Sequence, residues 1–190
     1  MDRRTIIKQI SIITGATFIG GELFIQSGCK AEKKPETSFI FTTEQISLLD
    51  EIGETILPQT DTPGAKAINI GAFMQKMVAE CYNPEQQKIF IGGVDAINVN
   101  FEKLYSTSFS KATSSQKEKF LNELNTAMIQ YKKDKKEKEP DHYFLMMKQL
   151  TILGYFTSET GATKALRYMA VPGKYDGSYA YKKGDKAWAT

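Results

Sequence analysis

The chain contains few of the residues on which metal sites and nucleophilic catalysis depend. Among 190 residues it has one histidine, His142, and two cysteines, Cys29 and Cys81. A four-ligand zinc site, a two-histidine protease motif and a disulfide framework each need more of these residues. The glycine-rich nucleotide-binding motifs and the Gly-x-Ser-x-Gly motif are also absent. The residues alone therefore disfavour an enzyme, and they assign no catalytic, cofactor-binding or metal-ligating residue.

The chain also lacks a strong net charge. Its 25 Lys and Arg residues against 22 Asp and Glu residues give a formal charge of +3, which does not indicate a nucleic-acid-binding protein. No segment after the first 25 residues is long and apolar enough to predict a membrane-spanning helix. The hydrophobic fraction of 41% is sufficient for one packed domain and excludes a wholly disordered chain.

Residues 1–28 have the organisation of a cleaved export signal. Arg3, Arg4 and Lys8 precede a glycine-interrupted apolar segment over 10–25. The arginine pair, followed by one variable residue, two isoleucines and a lysine, resembles the signal read by the twin-arginine translocase, which carries folded proteins. The alternative is an ordinary signal in which the two arginines are coincidental.

A cysteine closes the leader. Ser27 and Gly28 before Cys29 resemble a bacterial lipoprotein cleavage site, in which the cysteine becomes the first residue and carries the lipid. Gln26 stands where that pattern usually has an aliphatic residue, so a plain signal that leaves a free thiol is the alternative. On the lipoprotein interpretation, residues 29–41 form a polar tether. The protein is then anchored on the periplasmic side of a bacterial membrane.

Hydrophobic spacing predicts an all-α bundle of five to six helices in a domain over residues 42–190. No alternating pattern is long enough to predict a sheet. The predicted helices cover about 42–57, 70–81, 84–104, 113–131, 143–156 and 158–169. Cys81 falls on the apolar stripe of the second helix and is expected to be buried. Thr42 and Thr113, each with Gln three residues later, predict capping boxes.

Two further expectations concern helix contacts. Gly92 and Gly93 lie inside the third helix, where glycine is unfavourable, so a close helix crossing is expected at the pair. Asp141 is expected to cap the fifth helix. That helix is apolar on nearly every face over 143–156, which predicts that it forms the buried centre of the bundle.

Three charged or titratable features are interpreted as structural. Asp50, Glu51 and Glu54 are expected on the solvated side of the first helix. The mixed-charge run over 132–140 is interpreted as a solvated helix end and loop, with a site for an anionic partner as the alternative. His142, at the start of a helix, is expected to be structural or exposed, although an enzyme using it with nearby carboxylates is the alternative.

The last residues of the chain differ in composition from the helices. Glycine and proline punctuate residues 172–190, so an irregular tail is expected. It carries four large aromatic side chains, Tyr175, Tyr179, Tyr181 and Trp188. Tyrosine and tryptophan combine an apolar ring with a polar group, which suits interfaces that are partly exposed to water. The tail is therefore expected either to pack on the bundle or to contact a partner. These four residues are the predicted partner interface.

The order of several short motifs resembles the gluconate 2-dehydrogenase subunit 3 family. The motifs are Ile-Leu-Pro at 56–58, Thr-Asp-Thr-Pro-Gly-Ala at 60–65, Ile-Gly-Ala-Phe at 70–73, Thr-Gly-Ala at 160–162, Val-Pro-Gly-Lys-Tyr-Asp-Gly at 171–177 and Gly-Asp-Lys-Ala-Trp-Ala at 184–189. The resemblance implies a helical accessory subunit without a cofactor of its own. It further implies a large FAD-dependent partner acting on sugars or sugar acids, and often a cytochrome c subunit that accepts the electrons.

The leading hypothesis is therefore a non-catalytic accessory subunit that escorts, stabilises and anchors a periplasmic flavoprotein dehydrogenase. The resemblance implies that the flavoprotein is exported in its folded state on the leader of the small subunit. A free-standing helical lipoprotein that binds a small molecule between its helices is the alternative.

Overall fold

The computed structural model describes residues 41–171 and 173–189. The leader and most of the tether, with Arg3, Arg4 and Cys29, lie outside this part of the chain. The described residues belong to one compact unit. Five α-helices account for most of it: α1 (Thr43–Ile56), α2 (Ile70–Cys81), α3 (Pro84–Tyr105), α4 (Ser114–Asp134) and α5 (Tyr143–Thr157). The predicted all-α fold is confirmed.

Short elements join and follow these helices. Two 3-10 helices (Ala65–Ile68 and Phe109–Lys111) lie in loops, and a π-helical segment (Gly161–Ala165) follows α5. Two strands of two residues each, β1 (Arg167–Tyr168) and β2 (Trp188–Ala189), pair in parallel. No helix in the described ranges meets the length and hydropathy needed to cross a membrane.

Local sequence sets the start of three helices. A capping box, in which the cap side chain and the side chain three residues later each accept a backbone N–H, begins α1, α3 and α4. The pairs are Thr42 with Gln45, Asn83 with Gln86, and Thr113 with Gln116. Each cap contributes about 1 kcal/mol to helix stability. The two capping boxes predicted from the sequence, at Thr42 and Thr113, are confirmed.

Helix α5 lies at the centre of the bundle and contacts each of the other four α-helices. Its buried Thr151 side chain donates to the Met147 carbonyl at 2.8 Å, so this hydroxyl has a hydrogen-bond partner inside the bundle. The prediction of burial on nearly every face is only partly right, because Ile152, Leu153 and Phe156 are exposed. Four neighbouring helices do not cover the full circumference of its last two turns.

The two adjacent glycines of α3 have different environments. A Cβ atom on Gly93 would lie 2.3 Å from Cγ of Tyr143, at the start of α5. A Cβ atom on Gly92 would have no neighbour within 4 Å. The predicted close crossing is therefore confirmed for Gly93 and wrong for Gly92.

Two residue-level expectations are wrong. Cys81 is exposed, because it is the last residue of α2 and lies beyond Val78, the last buried residue of that helix. The cap of α5 is His142, whose Nδ1 accepts from the Phe144 N–H at 3.2 Å. Asp141 instead pairs with Nζ of Lys135 at 2.6 Å, and this contact takes its carboxylate away from the helix start.

The sixth predicted helix also differs from the structure. Ser158 has extended backbone angles and ends α5, and the chain then makes the π-helical segment before it enters β1. A Cβ atom on Gly161 would lie 1.9 Å from the Tyr155 carbonyl oxygen, so glycine is required for this tight return. The tail is irregular, as expected, except for the β1–β2 pairing. That pairing was not predicted, because its strands are distant in sequence and each has only two residues, too few to show an alternating pattern.

The adjacent glycines provide a matched pair of substitutions. Gly92→Ala should raise the free energy of unfolding by about 0.5–1 kcal/mol, because alanine favours the helix and the added methyl group meets open space. Gly93→Ala should lower it by about 1–3 kcal/mol, because the methyl group overlaps the Tyr143 ring. Urea titration of both variants measures the difference. Equal effects of the two substitutions would contradict the crossing geometry.

Candidate functional site

Two carboxylates fix the turn between α1 and α2. Glu54 accepts the backbone N–H groups of Gln59 and Lys66, each at 2.9 Å. Asp50 Oδ1 accepts the N–H of Gly71 at 2.7 Å, at the start of α2. The expectation of solvated side chains is therefore wrong, because both carboxylates are half-buried and accept hydrogen bonds from backbone groups of the turn.

The third carboxylate, Glu51, joins three elements. Its side chain pairs with Lys66 in the first 3-10 helix and with Nζ of Lys117, in α4, at 2.7 Å. The Lys117 side chain is largely buried, and its Nζ lies 5.6 Å from the centroid of the Phe109 ring. Glu51 was also expected to be solvated, but its side chain is only 16% exposed.

The pKa values of Asp50 and Glu51 are shifted in opposite directions. Burial raises the pKa of Asp50, and its hydrogen bond from Gly71 only partly opposes this effect. Burial would also raise the pKa of Glu51, but hydrogen bonds and charge from Lys117 and Lys66 outweigh it and lower the pKa. The ionised form of Glu51 is therefore favoured in the folded protein, where its contacts with the two lysines stabilise the fold.

The motif over 60–65 lies in this turn and contacts α5. The Tyr155 hydroxyl donates to the Pro63 carbonyl at 2.6 Å. A Cβ atom on Gly64 would lie 2.3 Å from the carboxylate oxygens of Glu54. These contacts hold the turn between α1 and α2 against α5, so the motif has a structural role. In the described ranges, no group of three or more His, Cys, Asp or Glu side chains is placed to hold a metal ion.

His142 has a structural environment, as expected. It accepts a backbone hydrogen bond at the α5 cap, stacks on the Tyr143 ring at 4.4 Å between centroids and meets Tyr131 edge-on at 5.5 Å. Burial lowers its pKa, so the imidazole is neutral at pH 7. A neutral ring is required here because Nδ1 accepts a hydrogen bond.

An arginine that the sequence did not single out organises the aromatic tail. The Arg167 guanidinium carbon lies 3.7 Å from the Trp188 ring centroid and 5.2 Å from that of Tyr179. The backbone N–H of Arg167 donates to the Ala187 carbonyl at 2.8 Å, beside the β1–β2 pairing. Tyr179 and Trp188 also meet edge-on at 5.6 Å. No sequence signal marked Arg167, because its aromatic partners come from distant positions.

Two carboxylates stabilise turns within the tail. Asp176 Oδ1 accepts the N–H of Ser178 at 3.0 Å, and Asp185 Oδ2 accepts the N–H of Lys182 at 2.9 Å. Gly184 has a φ of 96°, a conformation that favours glycine. The tail thus has a defined conformation stabilised by its own hydrogen bonds.

The predicted interface residues are exposed on this tail. Tyr175 is 94% exposed and Trp188 is 38% exposed, with Tyr179 and Tyr181 between them in exposure. A groove with a volume of about 1010 Å³ lies between the tail segments. Its lining includes Tyr168, Met169, Lys174, Tyr175, Tyr179 and Trp188. The structure therefore brings three of the four predicted residues to one groove, while Tyr181 lies outside its lining.

One comparison with known proteins gives a match. The family model described as gluconate 2-dehydrogenase subunit 3 matches residues 43–173, which include all five α-helices and β1. Residues 174–190 lie beyond the matched range. No curated protein and no solved structure matches the chain.

The opposite environments of Asp50 and Glu51 predict opposite pH effects. Glu51→Gln should cost about 1–3 kcal/mol at pH 7, because Lys117 loses a charged partner. Since the folded-state pKa of Glu51 is lowered, this cost should persist above the ordinary Glu range and disappear as the pH falls through the folded-state value. Unfolding free energies measured from pH 3 to pH 7 test this.

Asp50→Asn is the matched control, because the amide oxygen can still accept from Gly71. The folded-state pKa of Asp50 is raised, so the ionised side chain reduces stability as the pH rises through that value. The wild type should therefore lose stability relative to this variant with rising pH. Parallel pH profiles for the two variants would contradict the assigned environments.

Proposed function

Because the chain belongs to the gluconate 2-dehydrogenase subunit 3 family, we propose that it is a non-catalytic accessory subunit of an oxidoreductase complex. In this proposal it escorts, stabilises and anchors a flavoprotein that oxidises a sugar or a sugar acid. Catalysis takes place on that partner, which carries FAD, and the chain has no cofactor of its own. A cytochrome c subunit is a further expected member of the complex.

The family match carries this proposal, because the family is named as a dehydrogenase subunit. The groove lined by exposed aromatic rings supports it. Apolar surface left in water costs about 25 cal/mol per Å², so contact with another subunit would stabilise these side chains. Tyr175, Tyr179, Tyr181 and Trp188 are the proposed contacts. The three carboxylates of α1 and His142 support the same proposal, because their contacts are those of structural residues.

The leader supplies the proposed route and location. Residues 1–28 direct export through the twin-arginine translocase, which accepts a folded flavoprotein bound to this chain. Lipid on Cys29 then attaches the complex to the periplasmic side of a bacterial membrane, and residues 29–41 link the lipid to the helical domain. Arg3 and Arg4 are the residues on which the route depends.

Export is tested by Arg3→Lys together with Arg4→Lys. The double variant should accumulate in the cytoplasm with its flavoprotein partner, because the translocase requires the arginine pair. The measurement is cell fractionation, followed by purification of the chain and detection of bound flavin by absorbance. Lys33→Arg with Lys34→Arg, the reverse exchange in the tether, should leave export normal. Normal export of the first variant would reject this route, and purification without a flavoprotein would reject the proposed partner.

Anchoring is tested at the mature N-terminus. Mass spectrometry should find an acylated Cys29 as the first residue of the mature chain. Cys29→Ser should move the protein from the membrane fraction to the soluble fraction, whereas Cys81→Ser, at an exposed cysteine on α2, should leave it in the membrane fraction. An unmodified thiol at Cys29, or cleavage at another site, would reject the lipid anchor.

A further inference from the structure

The tail, together with the π-helical segment and β1 that lead into it, is basic as well as aromatic. Residues 164–189 contain six basic and two acidic residues, whereas the whole chain has a charge of only +3. The basic residues are Lys164, Arg167, Lys174, Lys182, Lys183 and Lys186. This segment therefore has a net charge of +4, and the rest of the chain has a net charge of −1.

Little within the tail compensates this charge. The two acidic residues, Asp176 and Asp185, accept backbone hydrogen bonds in their turns. The three ion pairs found among the described residues all lie elsewhere, at Glu51 and Asp141. Lys174, Lys182 and Lys183 are exposed, so the tail presents a positive field beside its aromatic groove.

The aromatic groove is organised before any partner binds. Arg167 stacks on Trp188 and contacts Tyr179, and the β1–β2 pairing and two hydrogen-bonded turns hold the segment around them. Preorganisation of this kind lowers the entropic cost of association. Tyrosine, tryptophan and arginine are also the residues most enriched where binding energy concentrates in protein interfaces.

We propose that the tail surface, formed by the groove-lining residues of segment 168–189 with Lys182 and Lys183, is a preformed docking site for an acidic segment of a partner protein. The aromatic rings form the contact core and the lysines form a charged rim that steers the partner. Arg167 is a positioning residue that holds Trp188 in place. This inference rests on the proposed function in one respect, namely that the partner is the flavoprotein.

The shape of the surface favours a protein segment over a membrane. The rings line a concave groove of about 1010 Å³, which accepts inserted side chains, whereas insertion into a bilayer requires rings that project outward from the surface.

The test uses the full chain in its native cells, with the photo-crosslinking residue p-benzoylphenylalanine in place of Tyr175. Irradiation should give one protein adduct, and peptide mapping should place the crosslink in a segment rich in Asp and Glu. The double variant with Lys182→Gln and Lys183→Gln should lower the apparent affinity for the partner protein about tenfold, because each lysine is expected to contribute about threefold. Titration with sodium chloride in detergent-solubilised membranes should show a weaker salt dependence for this variant.

Matched variants separate charge from positioning. Lys132→Gln with Lys133→Gln removes two exposed lysines at the end of α4 and should leave the adduct yield unchanged. Arg167→Lys keeps the charge but loses the planar stacking on Trp188. It should therefore lower the adduct yield without changing the salt dependence.

Each outcome decides the inference. Absence of an adduct, an adduct with lipid, or an adduct insensitive to the Lys182 and Lys183 changes would overturn it. A lysine-dependent adduct with an acidic segment of a flavin-containing protein would support both the docking site and the proposed function. The same adduct with a protein that lacks flavin would support the docking site and reject the proposed partner.

Discussion

Burial of α5 by the four other helices is the packing constraint on which the rest of the domain depends. The helix contributes Phe144, Met147 and Leu150 to the core, and it contacts every other α-helix. Its start requires a glycine on α3, because Tyr143 occupies the space of the Gly93 side chain. The residues that follow α5 lead directly into the π-helical segment and β1. The position of the tail is therefore set by the same packing that forms the core.

Several polar side chains of this protein stabilise turns and helix starts by hydrogen bonds and ion pairs. Glu54 and Asp50 fix the turn before α2, and Glu51 links that turn to α4 through Lys117. His142 begins α5 by accepting a backbone hydrogen bond. The motif at 60–65 owes its glycine to the nearby Glu54 carboxylate. Two of the sequence motifs that carry the family resemblance, at 60–65 and 160–162, thus have structural explanations that involve no ligand.

The parts of the fold that depend on local sequence could be predicted, and the parts that depend on distant contacts could not. Capping boxes and apolar stripes involve residues within a few positions of one another, so the starts of α1, α3 and α4 followed from the sequence. Burial of Cys81 was predicted wrongly because periodicity identifies a helix face but not where the bundle ends. The contacts of Glu51 with Lys117 and of Arg167 with Trp188 join distant residues. The groove was therefore inaccessible to sequence reasoning, although three of the four aromatic residues in its lining were identified.

The pairing of β1 with β2 closes the tail into a loop between Arg167 and Trp188. Closing a loop of this length has an entropic cost that grows only slowly with the number of residues, so a small set of contacts at its base can hold it shut. Those contacts are two strand residues on each side and one stacked guanidinium. The described residues between the two strands, including Tyr175 and Tyr179, are therefore expected to lose their arrangement together when the strand pairing is lost. A substitution of Arg167 would therefore affect not only Tyr179 and Trp188, which its guanidinium contacts, but also the rest of the segment between the two strands.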